Sequence, residues 1–170
     1  MTNETVHQTR RKFLGGLAST LLGTGASLLI AWQVHAESNR VIFPSDLDQL
    51  VHYTTVRRGN VTEHIMTTRE AMEAVKDGKP VPSGSHFVLA DYRDGNIYRY
   101  FVMQKGEAWG DDYDARRRTG SWQFQWFWPD KTINAAENTE RCQSCHRSRE
   151  GSDFLFTGYR IPRFSGQPIE

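Results

Sequence analysis

The stretch Cys142-Gln143-Ser144-Cys145-His146 constrains this chain more than any other. It is C-x-x-C-H, the spacing at which two thiols add to the vinyl groups of a haem while the adjacent imidazole binds its iron. On a helix, positions 142, 145 and 146 are i, i+3 and i+4, so both sulfurs and the imidazole leave from one side. The motif sits late in the chain, behind several strand-like runs. The sequence has no other cysteine. A redox C-x-x-C pair is a competing reading. Such a pair normally opens a helix after a buried strand, whereas these cysteines follow polar Asn138-Thr139-Glu140-Arg141, and His146 would have no role. A zinc site needs four ligands, and His52, His64 and His86 are scattered candidates for the fourth.

Thr9-Arg10-Arg11-Lys12-Phe13-Leu14 precedes an apolar, small-residue stretch from Gly15 to Val34, and Val34-His35-Ala36 has the small-x-small form a signal peptidase cleaves. Residues 1–36 are thus expected to be an export signal, twin-arginine-like in its paired arginines, with the general secretory route also open. About 20 apolar residues suffice to span a bilayer, so an uncleaved membrane anchor is the other outcome for this segment. The expected location is periplasmic. Export also suits the motif, because covalent haem attachment uses up two cysteines that an oxidising compartment would otherwise pair. Residues 37–170 are expected to form a single domain. A net charge of +1 and an aromatic content of 12% exclude a polybasic nucleic-acid binder and a disordered tail.

The body reads mainly as strands. Val51 to Val56 and Val61 to Met66 are β-branched and aromatic, with Arg58-Gly59-Asn60 as a turn between them. Thr67-Thr68-Arg69-Glu70 has the form of a capping box and predicts a helix over 68–77, ended by Gly78 and then by Pro80 and Pro82. Ser85 to Tyr92 and Ile97 to Gln104 flank Asp94-Gly95, the signature of a tight hairpin. Trp122, Phe124, Trp126 and Trp128 alternate with Gln123, Gln125 and Phe127, so one strand lays four large aromatics on one face. These rings serve as ordinary sheet core or as walls for a cofactor.

The order of these features resembles the cytochrome P-460 family over residues 43–162. Phe43-Pro44 opens the match, followed by the capped helix and Gly84, then Gly120-Ser121-Trp122-Gln123-Phe124 through Pro129-Asp130. Cys142 to His146 and Asp153-Phe154-Leu155-Phe156-Thr157 complete it. The resemblance implies an α+β, mainly β fold: a twisted antiparallel sheet of about five strands with a few helices, and the haem helix near the C-terminus. It implies one haem c held against the sheet, bound through Cys142 and Cys145, with His146 as the proximal iron ligand.

Family members are of two kinds. One oxidises hydroxylamine at a haem cross-linked to a strand lysine, with a distal acid for proton transfer. The other, cytochrome c-prime-beta, has no cross-link and binds nitric oxide or carbon monoxide in an apolar distal pocket. Leu89 stands where the cross-linking lysine is expected, and Phe87 shares its strand face, so both are expected to line an apolar haem pocket. Lys79 and Lys105 are the alternatives under a shifted register, Lys105 otherwise reading as a solvated strand end. His52, His64, His86, Met66, Met72 and Met103 are candidates for a sixth ligand, which would make the protein a six-coordinate electron carrier. An open distal position is the preferred expectation. Glu107, Asp111 and Asp112 are candidate acids, and Arg116-Arg117-Arg118 is a solvated loop or a holder of haem propionates or of an acidic redox partner. The expected partners are a small gaseous or nitrogen-oxide ligand and an exported redox protein; a homodimer is open, as no interface pattern shows one.

Overall fold

A computed structural model describes residues 39–170. The leader expected over 1–36 lies outside the described residues. Five strands, β1 (Val51–Arg58), β2 (Val61–Thr67), β3 (His86–Arg93), β4 (Asn96–Lys105) and β5 (Trp122–Phe127), form one antiparallel sheet in the order of the chain. Helix α1 (Arg69–Lys76) joins β2 to β3, and helix α2 (Glu140–Arg147) carries the C-x-x-C-H motif. Short 3-10 turns supply the remaining helical structure. No helix of the described residues is long and apolar enough to cross a membrane. The expected fold class is therefore the observed one.

Local chemistry sets the turns. Asp94 and Gly95 both take positive φ, 49° and 81°, which matches a two-residue connection to the right-handed twist of β3 and β4. Helix α1 starts one residue later than the capping-box reading: Thr68 is the N-cap, its hydroxyl accepting from the Ala71 amide at 3.2 Å. Thr67 belongs to β2, and its hydroxyl donates instead to the His86 carbonyl at 2.8 Å. Two adjacent threonines competed for one cap, and strand pairing between Thr67 and Phe87 removed the first.

Both faces of the sheet are covered. On one, Ile65, Phe87, Met103, Trp122 and Phe124 pack with Tyr53, with Met72 of α1 and with Phe154, Leu155 and Ile161 of the C-terminal segment. On the other, Val88, Val102 and Phe127 pack against Val41 and the residues after it. This double burial is why Gln123 and Gln125 are buried, contrary to the polar-out pattern of a half-exposed strand. The Gln123 side-chain Oε1 accepts from the Arg40 amide at 2.8 Å, and its Nε2 donates to the Trp109 carbonyl at 3.0 Å and to Asp112 at 2.6 Å. The tail closes the free edge of β1: the Thr55 amide donates to the Ile169 carbonyl at 2.8 Å, and the Ile169 amide to the Tyr53 carbonyl at 3.0 Å.

Candidate functional site

Helix α2 lies against β5. Its imidazole, His146, rests on Phe124 with ring centroids 4.7 Å apart and meets Phe156 edge-on at 4.9 Å. Cys142 is half-buried against the larger core, and Cys145 is exposed. Both thiols are free. Burial pushes the Cys142 thiol up to about 11, helped by the nearby Glu137 carboxylate.

The His146 imidazole is fixed from behind. His146 Nδ1 lies 2.7 Å from the Phe154 carbonyl, so this nitrogen carries the proton and donates it. Among the described residues Nε2 has no hydrogen-bond partner. Burial holds the imidazole below its ordinary pKa, with the Phe154 carbonyl opposing it, and so keeps the ring in the neutral form that ligation needs.

The carbonyl that receives this bond comes from a turn of unusual backbone. Asp153 and Phe154 both have positive φ, 49° and 64°. For residues with a Cβ this costs roughly 1–2 kcal/mol each, so the surroundings must impose it. Gly120 is part of that imposition: its φ is 56°, and a Cβ there would stand 2.8 Å from the Phe154 ring.

The sheet supplies an apolar floor. Leu89 stands between Ile65 of β2 and Phe101 of β4, and Phe101 pairs with Trp126 of β5. Leu89 and Phe101 are half-buried, while Phe156, against His146, is 40% exposed. The Trp126 indole N–H is buried with no acceptor. Phe87, one step along β3, is only 4% exposed and already enclosed by Tyr53 and Trp122. Of the two candidate pocket residues, Leu89 is therefore the partly exposed one and Phe87 is buried in the core. Two clefts, about 340 and 370 Å³, flank Ser144 and Arg147 of α2, facing the Asp114–Arg118 loop. They include neither thiol nor His146, and their linings are polar rather than apolar.

A family model for cytochrome P-460 matches residues 47–157. The chain belongs to the cytochrome P-460 family. No curated protein matches it. Membership brings haem as the cofactor, with redox or hydroxylamine chemistry as the range of the family. The free Nε2, the two free thiols and the apolar surface beside them fit that group.

Within this cytochrome P-460 domain the other candidate residues sort by sheet face. His52, His64, Met66 and His86 lie on the face opposite α2: His52 stacks on His64 at 4.3 Å, Met66 joins the second core, and His86 pairs with Asp46 at 3.3 Å. Met72 and Met103 share the face of α2 but are buried in its core. No group of three or more His, Cys, Asp or Glu that could hold a metal ion occurs among the described residues. Lys79 is exposed and pairs with Asp77 at 2.9 Å. Lys105 is not a solvated strand end: its ammonium is 2.8 Å from Asp153. The arginine run is no free loop either. Arg117 donates to Gln143 of α2 at 3.1 Å, and Arg118 donates to the Gly110 carbonyl at 2.9 Å.

One acid escaped the sequence reading. Asp112 binds Arg40 at 2.7 Å and Gln123, on the far side of the sheet from α2. Asp91, by contrast, follows Leu89 by two positions, shares its face and is 1% exposed. Its Oδ2 accepts from Arg99 at 2.7 Å, and its Oδ1 is buried without a partner. The Arg99 guanidinium also lies over Phe101 at 4.5 Å and Trp126 at 4.9 Å. The alternation Phe87, Leu89, Asp91 was the signal that could have found it.

Proposed function

We propose that the chain is an exported c-type haem protein that takes a small nitrogen-oxide or gaseous ligand at an open distal position. One observation carries this reading. His146 presents a free Nε2 beside two free thiols, and among the described residues the same sheet face offers no accessible second imidazole or thioether. Cys142 and Cys145 would hold the haem covalently and His146 its iron, with Leu89 and Phe101 as apolar walls. When bound, the haem supplies one-electron and ligand-binding chemistry. The chain's part would be to orient the imidazole and to exclude water at Leu89 and Phe101.

The experiment is an optical spectrum of the purified protein, ferric and ferrous, after acid-acetone extraction and with carbon monoxide. Pigment that resists extraction and a ferrous band that shifts with carbon monoxide are expected. Extractable pigment would overturn attachment, and an unshifted band would make the protein a six-coordinate carrier. Hydroxylamine oxidation is the second reading, favoured by Asp91. Its Oδ1, two positions beyond Leu89, is a buried carboxylate oxygen without a hydrogen-bond partner on this face. Turnover with an artificial electron acceptor tests it. Oxidation in the parent that Asp91→Asn abolishes supports it, and no oxidation by the parent refutes it.

A further inference from the structure

The carboxylate of Asp153 gathers three separate parts of the fold. Oδ2 accepts from the Val81 amide at 2.9 Å and from Lys105 Nζ at 2.8 Å. Oδ1 accepts from the Trp122 indole N–H at 3.1 Å and again from Lys105 Nζ at 3.1 Å. The donors lie in the loop before β3, at the end of β4 and at the start of β5. Asp153 itself has φ 49° and the next residue φ 64°, and it is the carbonyl of that next residue, Phe154, that receives His146 Nδ1–H at 2.7 Å.

We infer that Asp153 is a positioning residue for His146: its carboxylate, pinned by Val81, Lys105 and Trp122, holds the left-handed turn that aims the Phe154 carbonyl at Nδ1. The inference rests on the reading that His146 Nε2 binds the haem iron. A backbone acceptor on Nδ1 fixes the tautomer, orients the ring and raises the basicity of the ligating nitrogen, which favours the oxidised iron. A carboxylate that served only stability would leave that nitrogen's basicity unchanged once the protein had folded.

The test compares Asp153→Ala and Asp153→Asn in the haem-loaded full chain, reading the reduction potential and the iron–histidine stretching band of the ferrous protein. Alanine removes every acceptor and disfavours positive φ, whereas asparagine keeps an acceptor and tolerates that backbone. Asp153→Ala is expected to shift the oxidised-to-reduced ratio at fixed poise about tenfold toward reduced, a rise of about 59 mV for one electron, and to lower the stretching frequency. Asp153→Asn should recover most of both. Should Asp153→Ala not fold, Asp153→Gly accepts positive φ without strain, but nothing then pins the turn to Val81, Lys105 and Trp122, and a shift in the same direction is expected. A folded Ala or Gly variant with wild-type potential and band overturns the inference. A wild-type chain lacking extraction-resistant haem instead overturns the proposed function. The nitrogen-15 chemical shifts of His146 in that chain then decide on Asp153, through a Nδ1–H tautomer in the wild type that is kept or lost in the variant.

Discussion

Phe124→Ala removes the ring on which His146 rests. Phe124 is 4% exposed, pairs across the sheet with Met103 and belongs to the larger core. Its side chain is enclosed on the sheet side and capped by the imidazole, so the surroundings have little freedom to collapse into the space left behind. Truncating a buried phenylalanine in this way costs about 3–5 kcal/mol, against about 5–15 kcal/mol for the whole stability of a domain this size. With a urea dependence of roughly 2 kcal/mol per molar, the unfolding midpoint should fall by about 2 M. The melting temperature should fall by roughly 10–20 °C. Far-UV circular dichroism of the full chain in urea measures this. Phe124→Leu should lose only about 1–2 kcal/mol. Trp128→Ala provides the contrast, because Trp128 is 39% exposed and its removal opens less enclosed space. A loss below about 1 kcal/mol for Phe124→Ala would refute close packing between α2 and β5.

Three further outcomes follow from the same geometry. Burial lowers the pKa of His52 and His64, and the charge of His64 lowers His52 further. With the folded pKa below the unfolded value, the unfolded chain binds more protons. Stability is thus present above about pH 6.5 and lost as pH falls through the folded values. The urea midpoint should drop between about pH 7.5 and about pH 5, and His52→Gln should show a smaller drop; equal drops would refute it. In the haem-free chain, iodoacetamide should modify exposed Cys145 before half-buried Cys142, whose thiol is pushed up to about 11, as peptide mass analysis would show. Thr68→Ala should lose about 1 kcal/mol by removing the cap on Ala71, whereas Thr68→Ser should lose little in the same titration.

Much of this protein is set by spacing along the chain. The Asp94-Gly95 turn, the alternation in β5 and the i, i+3, i+4 placement of Cys142, Cys145 and His146 all depend on short-range geometry, and each is read within a few residues. Tertiary structure decided what those residues meet. Which face of the sheet took α2 separated Leu89 and Asp91 from His52, His64 and His86, because a strand's two faces are equivalent until something packs on one. Burial of both faces turned Gln123 inward, and strand pairing moved the helix cap from Thr67 to Thr68. The Asp153–Phe154 turn is the clearest case. Its backbone is unfavourable locally and persists because Val81, Lys105, Trp122 and Gly120 converge on it from positions far away in sequence.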